Sequence, residues 1–424
     1  MSAEAPIASL DVYLGTALVG SVYDTQPLSF EYAQSWLPNP GRIQLANIPL
    51  RAGRIDNEFV LAYFDNLLPE GALREHISRQ LHATSTFALL RAVAGDTAGS
   101  MVLLPSGQKP EPSGYELTSW AKLGHILRGD EGITAFDIKG RGARISLSGA
   151  QDKALIYIDS TGAPALPLGT SPSSHILKPS IRALPGIWES AANETIVMRA
   201  AAKCRLTSAE VFFEPNTAAC VVKRFDRFVD EHGELARLIQ YDLCQLNGTP
   251  SDRKYEAEGG PGIRRCAELI RRYSVMPAVD LRSFLAWVFF NLYVGNNDGH
   301  AKNLSLLAHR QGGARLAPFY DLMCTRIYPG LSRNYAFKIG GEDKPGQITR
   351  EHVVEMANEL GLRPRFVMQI ADSLSRSIVP ALKEAIDEIS PVLPVSAQTF
   401  ARKLLQEVNG ITKKFQRRLF ASPL

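Results

Sequence analysis

The stretch "GNNDGHAKNLS", residues 295–305, crowds asparagine, aspartate, histidine and lysine side chains together, with long apolar runs on both sides. Upstream, Leu281, Phe284, Leu285, Val288, Phe289 and Leu292 recur at helical spacing, and Trp287 and Phe290 widen the apolar face. That spacing predicts a largely buried helix over 280–295 with Asp280 as its N-cap. Downstream, "LSLL" reads as a short strand, and "APFYDLM" places Asp321 after Pro318, Phe319 and Tyr320. A rigid apolar element thus delivers the chain into a cluster of functional groups.

Three readings compete for that cluster. A solvated, inert loop would not need so many convergent groups on so rigid a base. A metal hydrolase would use Asp298, His300 and Asp321 as ligands, but Lys302 sits badly among groups that must hold a cation. Phosphoryl transfer asks for a carboxylate at the acceptor hydroxyl, an amide and a second carboxylate for Mg²⁺, and a cation to offset developing charge. Asp298, Asn303, Asp321 and Lys302 supply that set, and oxygen donors with few protein ligands suit Mg²⁺. Residue chemistry favours this third reading.

Outside this stretch, the 424 residues exceed one small core and predict two or three domains. A formal charge of +4 is only mildly basic and does not by itself argue for nucleic acid. The five cysteines, at 204, 220, 244, 266 and 324, are scattered without metal-ligand spacing, which speaks against a zinc site or a disulfide framework. The N-terminal "MSAEAPIASLDVYLG" lacks the basic flank and apolar run of a signal peptide. No uncharged apolar run reaches about 18 residues, so no membrane span is expected and the cytoplasm is the expected compartment.

"SLDVYLGTALVGSVYD", residues 8–23, predicts two strands around a Gly-containing turn, and "FVLAYFDNLLPEGALREHISRQL" a helix. "PSGQKPEPSG", residues 105–114, has linker composition. Strand signals cluster from 143 to 225 in "ARISLSGAQ", "ALIYI", "SHILKP", "AEVFFE" and "ACVVKRF", interrupted by the helical "SAANETIVMRAAAKCRL". Beyond 226 the pattern is mostly helical, "ARLIQYDLCQLNG" and "GIRRCAELIRRY" included. A strand-rich block before a helix-rich block predicts an α+β, two-lobed arrangement.

A kinase also needs nucleotide contacts from the strand-rich block. "SLSGAQDK", residues 146–153, has small residues where backbone can approach phosphates, though a hairpin turn reads the same way. Lys178, after Ile176 and Leu177, either points inward to phosphates or ends a strand at solvent; the second is favoured without context. Glu194 either pairs with Lys178 or simply favours the start of a helix. In "CVVKRFDR" the backbone of Lys223 to Phe225 is placed for an adenine edge and Asp226 for a ribose.

The order of these motifs resembles the HipA family of bacterial serine/threonine kinases, the toxin halves of HipBA-type toxin–antitoxin systems. "FDNLLPEG", "SLSGAQDK", "SHILKP", "VKRFDR", "KYEAEGGPGI", "NNDGHAKNLS" and "PFYDLM" follow in family order over nearly the whole chain. The resemblance implies a bilobal kinase-like fold with an added N-terminal subdomain at 1–105, a β-rich N-lobe at 106–225 and a helical C-lobe at 226–424. It implies Asp298 as catalytic base, aided by Lys302, with Asn303 and Asp321 holding Mg²⁺. ATP would be lined by Ser148, Gly149, Ala150, Gln151, Asp152, Lys153, Lys178, Lys223, Arg224, Phe225, His300, Ala301, Lys302, Asn303, Tyr320 and Asp321.

Ser146 matches the family's autophosphorylated serine, and Ser148 in the same loop leaves open which serine, or whether both, would be modified. Phosphate there adds about −1.5 to −2 charge and would silence the kinase. The implied partners are a HipB-like DNA-binding antitoxin, operator DNA through that complex, and an aminoacyl-tRNA synthetase as substrate. "EGGPGI" reads as a Gly-Pro turn before a helix, with a substrate-loop role open. The basic helix end with Lys413, Lys414, Arg417 and Arg418 reads as a solvated face, with contact to DNA phosphates open. Competing functions are a non-catalytic antitoxin-binding corepressor and a small-molecule phosphotransferase.

Overall fold

The computed structural model describes residues 7–39, 42–70, 74–75, 77–79, 82–92, 99–128, 153–182, 184–308 and 313–420. The chain divides into two compact units, one made of residues 1–176 with 226–252, the other of residues 177–225 with 253–424.

In the first unit, β1 (Ser9–Leu14), β2 (Ala17–Tyr23), β3 (Ser29–Tyr32) and β4 (Met101–Pro105) form an antiparallel sheet in the order β3–β2–β1–β4. Gly15 takes φ +58° in the β1–β2 turn, a conformation that costs glycine no Cβ clash. Helix α1 (Glu58–Asp65) starts where the Asn57 side chain accepts from the Val60 N–H. It stops at Asp65, where its apolar spacing predicts an unbroken helix, and residues 74–75 and 77–79 are helical again. Asn66 ends it, its buried side-chain amide donating to the carbonyls of Ala62 and Thr249 (2.7 and 2.9 Å). A side chain that can bond locally competes with the helix ladder. Further on come α2 (Thr86–Ala92), β5 (Gly114–Leu117), α3 (Trp120–Arg128), β6 (Ala154–Ile158) and β7 (Pro164–Leu168), with β5, β7 and β6 side by side in that order.

The helix expected over "ARLIQYDLCQLNG" is a second correction. Short strands occupy Leu235–Arg237 and Gln240–Asp242, and a helix begins only at Leu243. The cause is the capping box at Asp242, whose carboxylate accepts from the Gln245 N–H at 2.7 Å and requires extended backbone at the cap.

The second unit takes in β8 (His175–Pro179) from Leu177 onward, then α4 (Ser190–Lys203), β9 (Val211–Glu214) and β10 (Ala219–Lys223), with strand order β8–β10–β9. Its helical part holds α5 (Ile263–Tyr273), α6 (Pro277–Val294), α7 (Arg350–Glu359), α8 (Pro364–Ile389) and α9 (Val395–Phe420), with the hairpin β11 (Ser305–Ala308) and β12 (Ala314–Leu316). Helix α6 packs against α5, α8 and α9. Its Phe284, Trp287, Phe289, Phe290 and Tyr293 are fully buried, each such side chain contributing about 1.5–3 kcal/mol of burial free energy.

Asp280 is not the N-cap of this helix. The helix starts at Pro277, where proline's missing N–H costs nothing. Asp280 lies buried in the first turn, accepting from the Arg315 guanidinium (2.8 Å), the Ser274 hydroxyl (2.6 Å) and the Leu316 N–H (2.9 Å). It therefore ties α6 to β12 instead of capping the helix.

All five cysteines are free thiols. Among the described residues, no helix is long and apolar enough to cross a membrane.

Candidate active site

The cluster that ends α6 is built by hydrogen bonds among its own amides. Gly295 closes the helix at φ +74°, a left-handed conformation that favours glycine, and a Cβ there would lie 2.7 Å from the end of the Ile411 side chain. Its carbonyl accepts from the Arg326 N–H (3.0 Å) and the Thr325 hydroxyl (3.2 Å). Thr325 in turn accepts from the Asn297 N–H at 2.8 Å.

Asn296 is buried, and its side-chain amide donates to the Asn291 Oδ1 at 2.8 Å. Its own Oδ1 accepts from the Asp298 N–H at 3.2 Å. Asn297 donates its side chain to the Ser332 carbonyl at 3.0 Å. The asparagines so dense in the sequence are therefore mounts. They satisfy buried backbone groups at a sharp turn and leave Asp298 exposed at its outer edge.

Beyond Asp298 the chain turns through a short 3₁₀ segment, Ala301–Asn303. His300 is buried, and its pKa lies well below the usual histidine value, because burial and then the Lys254 and Lys302 cations outweigh Asp321. That direction favours the neutral imidazole. Lys302 is buried and its carbonyl accepts from the Tyr320 hydroxyl at 2.8 Å, which also meets Ser305 Oγ at 2.8 Å. Tyr320 thus fastens the segment carrying Asp321 to the segment carrying Lys302.

Asp321 adopts φ +59°, a left-handed backbone that costs aspartate less than most residues. The preceding strand-like contact sets it there. Phe319 donates its N–H to the Thr207 carbonyl and accepts from the Ala209 N–H, both at 2.8 Å. The Asp321 carboxylate accepts from the Asn303 side-chain amide (2.9 Å) on one oxygen and from Lys178 Nζ (2.8 Å) on the other.

Lys178 also reaches Glu194 Oε1 on α4 at 2.5 Å. Lys178 therefore points inward and does not end its strand at solvent. Burial alone would push its ammonium toward neutrality. The Asp321 and Glu194 carboxylates outweigh that and hold its pKa above the ordinary lysine value. One unbroken chain of contacts, Glu194–Lys178–Asp321–Asn303, results.

Of the other predicted residues, Phe225 sets its ring 5.6 Å from that of Tyr320. Arg224 is buried, while the exposed Lys223 pairs with Glu210 at 2.9 Å. Ala301 is fully buried. Asp226 belongs to the first unit and pairs with Arg227 at 2.8 Å. Lys153 is buried at the start of β6 in that same unit. Ser146, Ser148, Gly149, Ala150, Gln151 and Asp152 lie outside the described residues.

Sequence reasoning did not assign a role to Tyr255, whose hydroxyl donates to Asp298 Oδ1 at 2.5 Å. Its position inside "KYEAEGGPGI" was the available signal.

The donors present fit a hard divalent cation. Asp321 and Asn303 are adjacent oxygen-bearing side chains, and the Asp321 side chain is 36% exposed, which leaves room for phosphate oxygens and water. Among the described residues, no three histidine, cysteine or carboxylate groups gather as a metal cluster. The Asp298–His300–Asp321 ligand set of a hydrolase is therefore not assembled.

A lysine bridging a helix glutamate and a carboxylate, with Asn303 bonded to that carboxylate, is an arrangement of the kind protein kinases use. Residues 145–382 match the HipA-like C-terminal domain and residues 10–104 the HipA N-terminal domain. The chain is 37% identical over 377 residues to "Putative kinase Y4mE" of Sinorhizobium fredii, covering 85% of this chain and 88% of that protein. It is 28% identical over 423 residues to the serine/threonine-protein kinase toxin HipA of Shewanella oneidensis, covering 93% and 95% of the two. A solved Shewanella oneidensis structure of HipA with HipB and operator DNA matches with a TM-score of 0.81 at 24% identity, covering 97% of this chain and 98% of that one. The chain belongs to the HipA family of serine/threonine kinase toxins. Its fold is the bilobal α+β fold of that family, with a β-rich N-lobe, a helical C-lobe and an added N-terminal subdomain.

Proposed function

We propose that this chain is an ATP- and Mg²⁺-dependent serine/threonine protein kinase that restrains growth by modifying a protein of translation, an aminoacyl-tRNA synthetase. The observation that carries the reading is the contact chain Glu194–Lys178–Asp321–Asn303. A buried lysine between two carboxylates has no counterpart in a surface built only to bind DNA or an antitoxin, and phosphoryl transfer needs each of those groups.

In this reading Lys178 holds ATP phosphate oxygens and Glu194 fixes the lysine. Asn303 and Asp321 would hold Mg²⁺, which when bound would neutralise phosphate charge. Asp298 accepts the proton of the acceptor serine or threonine hydroxyl as its oxygen attacks the γ-phosphorus and ADP leaves. Lys302 offsets charge on the transferring group. The backbone of Lys223 to Phe225, with His300, Ala301 and Tyr320, lines the nucleotide, and residues 148–153 form the phosphate loop. The division at 1–105, 106–225 and 226–424 assigns the first part to a partner surface.

Ser146 or Ser148 is the autophosphorylation site, and its added charge silences the loop. By analogy with the Shewanella oneidensis assembly, the partner is a HipB-like antitoxin that brings operator DNA. Incubation with labelled ATP and Mg²⁺, followed by phosphosite mapping, tests the reading. Wild type should carry phosphoserine at 146 or 148, and Asp298→Asn none. Equal labelling of both proteins removes Asp298 from the mechanism.

A further inference from the structure

Nothing in the roles above accounts for the segment 253–262, whose construction is unusually exact for a surface loop. Gly260 packs so closely that a Cβ would lie 2.4 Å from the Arg253 carbonyl and 2.8 Å from the Tyr255 carbonyl. Its N–H donates to that same Tyr255 carbonyl at 2.8 Å, and the Glu258 N–H does so at 3.0 Å. Gly262 leaves space for the Glu256 carboxylate, 2.6 Å from where its Cβ would stand. Glu256 accepts from the Lys338 N–H at 2.7 Å, which fastens the loop to a distant stretch of the same unit. Two of these bonds end on the Tyr255 carbonyl, and the others hold the side chain of the next residue, Glu256.

Tyr255 is aimed at the reacting carboxylate. Its hydroxyl donates to Asp298 Oδ1 at 2.5 Å. Its ring stands edge to face with the buried His300 ring, centroids 5.1 Å apart at 86°, and Lys254 Nζ lies 5.4 Å from its centroid. His300 shares the catalytic segment with Asp298, so the ring contact fixes the direction from which the hydroxyl arrives. Asp298 receives its backbone support from Asn296 and a side-chain hydrogen bond from this second, independently braced loop.

We propose that Tyr255 is a positioning residue for phosphoryl transfer: its hydroxyl orients the Asp298 carboxylate toward the acceptor hydroxyl. The inference rests on the kinase reading of Asp298. A phenol donating to a carboxylate favours the charged form, and charge-assisted hydrogen bonds are roughly twice as strong as neutral ones. A general base works only when charged and aimed within hydrogen-bond reach of its proton. Among the charged groups acting on the neighbouring His300 are Lys254 on the same loop, and Lys302 and Asp321 on the facing segments. Tyr255→Phe leaves these in place and removes only the donor.

The test compares wild type, Tyr255→Phe, Tyr255→Ala and Asp298→Asn in steady-state phosphorylation of an acceptor protein over pH 5–9. Wild-type transfer that Asp298→Asn abolishes establishes the underlying reading first, so the two ideas fail separately. Tyr255→Phe should then lower kcat about tenfold with the KM for ATP unchanged. Tyr255→Ala should lose at least as much. Wild-type kcat in Tyr255→Phe would overturn the proposal, leaving the ring a packing element. Faster transfer by Tyr255→Phe would also overturn it, since the hydroxyl would then be occupying the acceptor's place. An unchanged melting temperature and nucleotide affinity for Tyr255→Phe exclude misfolding as the cause of a loss.

Discussion

Helix α4 carries two sets of ion pairs that differ in everything except their chemistry. Near its start, Glu194 is wholly buried and meets the buried Lys178. At its end, Lys203 reaches outward to Glu384 at 2.7 Å and to Glu388 on α8, carboxylates 64% and 37% exposed. Water stabilises the second set whether or not it is paired, so pairing gains little. The first set has no such alternative, because desolvated charges depend on each other. A buried pair is poor value as a stabiliser against an apolar replacement, which makes its presence here informative about chemistry.

The largest effect should come from breaking the inner pair. Lys178→Ala strands Glu194 without its cation, and the fold should lose about 3–5 kcal/mol. Phosphoryl transfer should fall by at least about 100-fold, as expected when a charge-stabilising donor is removed. Chemical denaturation and a phosphorylation assay on the same preparation check both. Normal activity in Lys178→Ala would reduce the pair to a structural tie.

Asp280 and Arg315 form a third case, buried on the acid side and a third exposed on the base side. Asp280→Ala should cost about 3 kcal/mol in denaturant, near the low end for breaking such a pair. Burial would raise the carboxyl's pKa, but Arg315, Ser274 and Leu316 together hold it below the usual value. Its stabilising contribution is therefore fully present above about pH 4 and is lost as the pH falls through its folded value. The acid midpoint of unfolding should be less steep in Asp280→Asn than in wild type, which circular dichroism would record. The smallest effect belongs to the outer set: Lys203→Ala should change stability by less than about 1 kcal/mol and leave phosphorylation intact.

The same contrast explains what could be read from the sequence. The apolar spacing of 281–292 gives α6 plainly, the polar run after it singles out Asp298 and Asn303, and "APFYDLM" singles out Asp321, because periodicity and residue chemistry are local signals. Lys178 is different. Whether a lysine after Ile176 and Leu177 ends in water or in a cleft depends on Glu194 and Asp321, which reach it from α4 and from the turn after Phe319. Asp280 misleads for a similar reason: acid near a helix start suits a cap, but its partner Arg315 lies 35 positions away. Asn66 and Asp242 misled the helix boundaries because their side chains bond backbone locally, which hydrophobic spacing does not register. Tyr255 stands in a motif visible in the sequence, but only folding brings it to Asp298, 43 positions on.

The central claim is that the inner pair and its neighbours form a magnesium–nucleotide site. Calorimetric titration of a non-hydrolysable ATP analogue, with and without Mg²⁺, into wild type and Asp321→Asn tests it most directly. Wild type should bind far more tightly with Mg²⁺ present, and Asp321→Asn should lose that difference. The same Mg²⁺-dependent affinity in both proteins would contradict the account.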